Sequence, residues 1–301
     1  MRGFFLAVVA GVMIVQPLAA QTSTAQAPAV PAPAEPASTQ HIFPGDTIPA
    51  IPHATWIESG AIRVAVGAPA VAKAPATATR YSVKTIVHPT GTIQEIIFTK
   101  ASGGVFHPIG TLTQLYVLKG SAEVGVGNQM ASIKQGDAVS RPSGILRSGA
   151  TPEDTTIIAW NVGSSVKNPK PMVIRGEDVT AETTAEWMEG DKVVRTATTA
   201  DTNAKAPPDA KKLISKRYEF DGNSIRVARM LKGGSRAPAL MTADSLIYIT
   251  HGHLRFHQYG NGIDEAREVT SGDFIREQAG MTHIWDQLED GGFVTTTGIA
   301  P

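Results

Sequence analysis

A pair of matching stretches constrains this chain more than any other feature. GGVFHPIGTLTQLYVLKGSAEVGVG, from Gly103 to Gly127, is followed much later by GGSRAPALMTADSLIYITHGHLRF, from Gly233 to Phe256. Tyr248-Ile249-Thr250-His251-Gly252 stands where Tyr116-Val117-Leu118-Lys119-Gly120 stood. Each stretch leads to a second glycine–aspartate signal, KQGDAVSRPSG from Lys134 to Gly144 and TSGDFIREQAG from Thr270 to Gly280. Landmarks that recur in one order make an internal duplication, so the chain reads as two copies of one unit.

The local pattern within each copy is that of strands. Thr113, Leu115 and Val117 alternate with Gln114 and Tyr116 until Gly120 breaks the run. Period two predicts one face in and one face out. Further short runs (YSVKTIVH, TIQEIIFT, SAEVGVG, TTIIAWNVG) are punctuated by glycine and show almost no helical period, which predicts an all-β barrel or sandwich. The GVGN piece at Gly125 reads as a hairpin turn. From Gly120 to Gly136 is 16 positions and from Gly252 to Gly272 is 20, so copy 2 is expected to carry a longer loop. TAETTAEWMEG, from Thr180 to Gly190, is predicted to be a short helix capped by Thr180.

Ends, linkers and composition set the remaining bounds. Arg2 precedes an apolar run from Phe4 to Val15, with Ala19 and Ala20 after it. The run is shorter than the roughly 17–25 residues of a membrane span and reads as a secretory signal over 1–20. Export follows, to the periplasm in a Gram-negative cell and otherwise to the medium. Residues 21–40 are Ala/Pro-rich and read as a disordered linker. Residues 41–80 are expected to form a leader packing on the barrels. Copy 1 spans 81–163, a connector 164–215 and copy 2 216–301. Net charge is zero with no long basic run, which argues against nucleic acid and against membrane insertion once the signal is cleaved. With no cysteine, disulfides and thiolate chemistry are excluded.

The landmarks resemble the two short motifs of the cupin superfamily. The first runs G-x5-H-x-H-x3-4-E-x6-G and the second G-x5-P-x-G-x2-H-x3-N. His107, Ile109, Thr113 and Gly120 fall on the first motif in copy 1, with Gly136, Pro142, Gly144 and Arg147 on the second. In copy 2, Ala239, Met241 and Ser245 take the first-motif ligand positions, and His283 keeps the second-motif histidine. The resemblance implies two tandem cupin-type jelly-roll β-barrels (a bicupin) with a short inter-barrel helix. Many cupins hold a divalent metal with three histidines and a glutamate, and here each copy keeps one of those four.

These positions nominate the site residues. Offsets of two and six along one strand put all three first-motif side chains on one face. In copy 1, Arg147 stands where a metal ligand would, and a guanidinium grips anions but offers no lone pair to a metal. His107 is the catalytic candidate there, with Thr113 beside it. In copy 2, Met241, Ser245 and Trp285 form a mainly apolar ligand-binding wall around His283, the second catalytic candidate, in a pocket with one polar handle. The reading is a small-molecule site, for an anionic or carbonyl-bearing ligand, without a metal. Two alternatives stand beside it. One is a metal-dependent enzyme, dioxygenase- or isomerase-like, holding Fe, Mn, Zn or Ni through non-motif ligands. The other is a structural or partner-binding protein, as an edge-paired homodimer would be. His251, His253 and His257 are expected on one outward strand face, because Leu254 and Phe256 take the core.

Overall fold

The computed structural model describes residues 41–88, 91–99, 114–148, 154–162, 170–190, 192–197, 206–230, 232 and 235–297. Nearly all of the regular structure is antiparallel strand. A two-residue strand, β1 (Ile42–Phe43), comes first. The first half then runs β2 (Ile51–Glu58), β3 (Ala61–Val66), a one-turn helix α1 (Ala68–Val71), β4 (Thr79–His88) and β5 (Gly91–Phe98). It continues through β6 (Gln114–Lys119), β7 (Ser121–Val126), β8 (Gln129–Lys134), β9 (Ala138–Ser140), β10 (Pro142–Ser148) and β11 (Thr155–Val162). The second half runs β12 (Met172–Ile174), β13 (Glu182–Glu189), β14 (Lys192–Ala197), β15 (Lys211–Phe220), β16 (Asn223–Met230) and β17 (Ser235–Leu240). It ends with β18 (Ser245–His251), β19 (His253–Gly260), β20 (Ile263–Thr270), β21 (Phe274–Glu277), β22 (Thr282–Gln287) and β23 (Gly291–Thr297).

The duplication is written in the sheet order. One eight-stranded sheet is β12-β9-β6-β11-β5-β4-β2-β3 and the other β1-β21-β18-β23-β16-β15-β13-β14. Read side by side, every strand of one has its counterpart in the other. A three-stranded sheet, β10-β7-β8, and a four-stranded sheet, β17-β22-β19-β20, complete the halves. β1 and β12 are exchanged. β1 pairs with β21 of the second half, and β12 pairs with β9 of the first.

Both exchanged strands are anchored in one way. After β1, the Gly45 N–H donates to Asp273 Oδ1 at 2.7 Å; after β12, the Gly176 N–H donates to Asp137 Oδ1 at 2.9 Å. Each aspartate also closes its own turn, accepting from the N–H of Thr270 or Lys134. Lys84 Nζ reaches the Gly45 carbonyl at 2.8 Å and Lys216 Nζ the Gly176 carbonyl at 2.6 Å. The backbones touch at glycine pairs. A Cβ on Gly45 would lie 2.1 Å from the Gly272 carbonyl oxygen, and one on Gly176 2.4 Å from that of Gly136. Gly136 and Gly272 themselves sit at φ 91° and 93°, where a side chain is strained.

Alternation partitions the core into three layers. Leu115, Val117, Ile157 and Ala159 pack inside the first half. Ile247, Ile249, Leu254, Phe256, Trp285 and Phe293 pack inside the second. The alternate residues, Tyr116, Ile158, Trp160, Leu246, Tyr248 and Val294, form a layer where the halves meet. β6 is therefore buried on both faces over Gln114–Val117, and its second face meets the other half instead of solvent. Cross-half hydrogen bonds repeat with the pseudo-symmetry: Trp160 Nε1 donates to the Leu246 carbonyl at 3.2 Å, and Thr296 Oγ1 donates to Gln114 Oε1 at 2.6 Å. Tyr248 donates its hydroxyl to Glu95, which also faces Lys84 Nζ at 3.6 Å. Burial, reinforced by the glutamate, pushes the Tyr248 hydroxyl well above the ordinary tyrosine range, so it stays a donor.

Three expectations are corrected. The predicted helix at Thr180–Gly190 is β13, paired with β14 on one side and β15 on the other. β-branched Thr183 and Thr184 and aromatic Trp187 suit a pleated surface, and sheet pairing on both flanks overrides the cap-like Thr180. The four extra residues of the second half lengthen strands, not a loop: β19 and β20 have 8 residues each where β7 and β8 have 6. Two-residue turns close both hairpins, with Gly127 at φ 60° in one and Asn261 and Gly262 at 46° and 80° in the other. The three histidines do not share one strand. His251 ends β18, Gly252 turns the chain, and only His253 and His257 lie together on β19. Both face outward, against Glu268 at 2.9 Å and Asp264 at 2.7 Å.

Two predictions follow from this architecture. Gly45→Ala and Gly176→Ala should each lower stability by about 1–3 kcal/mol, because a rigid backbone must shift to admit the methyl group. Thermal unfolding should show both losses; an unchanged melting temperature would contradict the clasp. The second concerns pH. Burial, with Arg276 adding to it, holds His41 below its ordinary value of 6.5, and burial does the same for His53. The unfolded chain therefore binds more protons, so this stability is present above about pH 6.5 and is lost as pH falls through and below it. His41→Gln with His53→Gln should flatten that acid limb in urea unfolding.

Candidate functional site in the second half

The parity that fills the second-half core also sends polar side chains into it. On the eight-stranded sheet, Ser245 shares a face with Ile247 and Ile249, Glu277 with Ile275, and Thr295 with Phe293. On the four-stranded sheet, Gln258 follows Leu254 and Phe256 inward, and His283 shares its face with Trp285. The two sheets meet here through one ion-pair contact: His283 Nδ1 lies 3.0 Å from Glu277 Oε1. Neither side chain is more than 4% exposed.

Glu277 is held from two sides. Ser245 donates its hydroxyl to Oε2 at 2.8 Å, and Thr295 Oγ1 stands 3.4 Å from Ser245 Oγ. The carboxylate thus has a hydroxyl on one oxygen and an imidazole nitrogen on the other. The imidazole and the carboxylate meet at ion-pair distance without the alignment of a hydrogen bond. Apart from Gln258 and Thr295, the side chains around the pair are mainly apolar or aromatic. Trp285 and Met281 are fully buried, and Phe256 and Trp285 pack with ring centroids 4.6 Å apart.

The sequence-nominated residues divide. Ser245, His283 and Trp285 are all buried in the second half. Met241 reaches the same end by a different route. It lies in a bend between β17 and β18, where its N–H donates to the Met281 carbonyl at 2.8 Å and its own carbonyl accepts from Gly280. The expected single strand carrying Ala239, Met241 and Ser245 is thus broken, and Ala239 and Ser245 belong to different sheets. His107 and Thr113 lie outside the described residues. Arg147 is placed on β10 opposite Glu123, with its side chain outside what is described. Glu277 and Gln258 were missed because neither occupies a motif position. Their parity with Ile275 and Phe256 is the signal that could have found them.

A resident divalent metal does not fit this donor set. Such a site in a protein interior needs three or four imidazole, carboxylate or thiolate donors. The second half brings one imidazole and one carboxylate together, with a hydroxyl and a thioether at the other motif positions. Among the described residues, no three metal-donor side chains gather.

Two halves of two sheets each, with matched strand orders, invite comparison with solved structures. Protein YlbA from E. coli superposes with a TM-score of 0.53 at 12% identity, over 87% of this chain and 93% of that one. A variant of Bacillus subtilis oxalate decarboxylase gives 0.53 at 11%, over 88% and 78%. Streptomyces albus HEPD, solved with 2-hydroxyethylphosphonate and Fe(II) bound, gives 0.54 at 8%, over 80% and 72%. The fold is cupin-type. At these identities the likeness carries the cupin fold alone. Neither a protein-family model nor a curated protein sequence matches this chain.

The carboxylate is expected to couple its neighbours. Glu277→Ala should cost about 1–3 kcal/mol, since it leaves the buried Ser245 hydroxyl without its acceptor, and Ser245→Ala about 0.5–1.5 kcal/mol. In urea unfolding the double variant should lose clearly less than the sum of the two. Strict additivity would mean that Ser245 and Glu277 act independently.

Proposed function

We propose that this is an exported bicupin whose second barrel is a metal-independent small-molecule site built on the His283–Glu277 pair. Each half would close as a jelly-roll barrel, its larger sheet facing its smaller one. The observation that carries the reading is a buried imidazole 3.0 Å from a carboxylate that also accepts a serine hydroxyl, inside an otherwise apolar core. A charged or polar pair is costly in such a place, and sites of this type are where ligands and proton transfers are handled.

The chemistry of the pair follows from its geometry. Glu277, at ion-pair distance, would stabilise the imidazolium when His283 takes up a proton, and Ser245 holds the carboxylate in place. The cupin-like enzymes superposed above are a reason to test for a metal, and the donor set is the reason to expect none here. In the first half, the sequence assigns anion binding to Arg147, with His107 and Thr113 beside it. A leader over 1–20 supports export to the periplasm or medium. β3 ends its sheet with Ile62, Val64 and Val66 at 38%, 41% and 40% exposure, a surface suited to pairing with a second copy.

Elemental analysis of the untagged mature protein tests the reading directly. Substoichiometric metal, together with saturable binding of a small carbonyl compound such as pyruvate or acetamide that His283→Gln weakens, is the expected result. Close to one equivalent of iron, manganese, nickel or zinc per chain would replace it with a metal enzyme.

A further inference from the structure

Gln258 is a buried side chain that the packing of the core leaves unexplained. It is fully buried, and among the described residues neither its Nε2 nor its Oε1 has a hydrogen-bond partner. Trp285 Nε1 is in the same condition. Leaving a buried amide or indole N–H unpaired costs about 1–3 kcal/mol for each group. Three such groups on one wall favour a polar occupant.

Their placement defines what that occupant must offer. On the four-stranded sheet, Gln258 lies directly opposite His283, and Phe256 opposite Trp285. Gln258 and Trp285 are therefore diagonal neighbours, within reach of one small molecule. On the other side of His283 the register places Ala239. The amide of Gln258 presents a donor and an acceptor on one edge, and Trp285 adds a second donor. The complementary edge is a carbonyl oxygen beside an N–H on the same side. A lactam or primary carboxamide has that cis edge; an ester lacks the donor, and an acyclic secondary amide points its N–H away.

Resting on the reading of this interior as a ligand site, we infer that Gln258 and Trp285 are its specificity edge and that the ligand is a small uncharged lactam or carboxamide. Gln258 pairs twice with the amide edge, and Trp285 gives the carbonyl a second hydrogen bond. The bound molecule then lies against His283, which the register places opposite Gln258.

The test uses the mature full-length protein with three probes of nearly equal shape: 2-pyrrolidinone, N-methyl-2-pyrrolidinone and γ-butyrolactone. Ligand-detected NMR titration measures each affinity. The expected result is binding of 2-pyrrolidinone at least about tenfold tighter than either analogue. Gln258→Leu should erase that preference and, with no probe present, be as stable as the parent or more so. Equal affinity for the three probes, or a preference that survives in Gln258→Leu, overturns the specificity edge while leaving the interior site standing. If no probe binds, the inference fails; if pyruvate and acetamide also show no binding sensitive to His283→Gln, the site itself fails with it.

Discussion

Two buried aspartate carboxylates hold this molecule in its arrangement. Asp137 and Asp273 each accept backbone N–H groups from two places, their own turn and the glycine that follows an exchanged strand. A carboxylate surrounded by N–H donors is one of the stronger arrangements available to a protein interior. It works here only because glycine meets glycine, letting two backbones approach at a distance no Cβ would permit. The clasp is not fully symmetric. Arg175 adds a 2.8 Å contact to Asp137, whereas Pro44 occupies the matching place before Gly45 and can add none.

The site depends on that arrangement at one remove. β21 carries Glu277 and would be a sheet edge without β1. With β1 in place, the Arg276 N–H donates to the His41 carbonyl at 2.8 Å, and the strand bearing the carboxylate is paired on both sides. Period two then does the sorting: Phe274 turns to the layer between the halves while Ile275 and Glu277 turn inward. The His283–Glu277 contact is consequently positioned by sheet geometry, with strands on either side of each partner.

Much of this was legible in the sequence. The duplication appears as recurring glycine–aspartate landmarks, and parity alone places Ser245, His283 and Trp285 inside. What was not legible depends on partners far away in the chain. The segment at 182–189 looks helical until its two sheet neighbours are known, and the outward face of β6 looks solvated until a second half covers it. Ile42-Phe43-Pro44-Gly45 and Val173-Ile174-Arg175-Gly176 share an apolar pair two residues before glycine, but nothing local reveals that each crosses to the other half. Glu277 escaped notice because it supplies a carboxylate from the strand facing the motif's own glutamate position, Ser245.

The exchange of β1 has a consequence in time. Gly45 and Asp273 are 228 positions apart, so the first strand described here cannot be captured until nearly the whole chain exists. Contacts of such separation slow folding, since the loop must close before anything is gained. β12, by contrast, finds β9 within the half already made. The first half can therefore be completed early, while the second waits for a strand that was synthesised before either. The chain must keep its opening residues uncommitted until its last ones arrive.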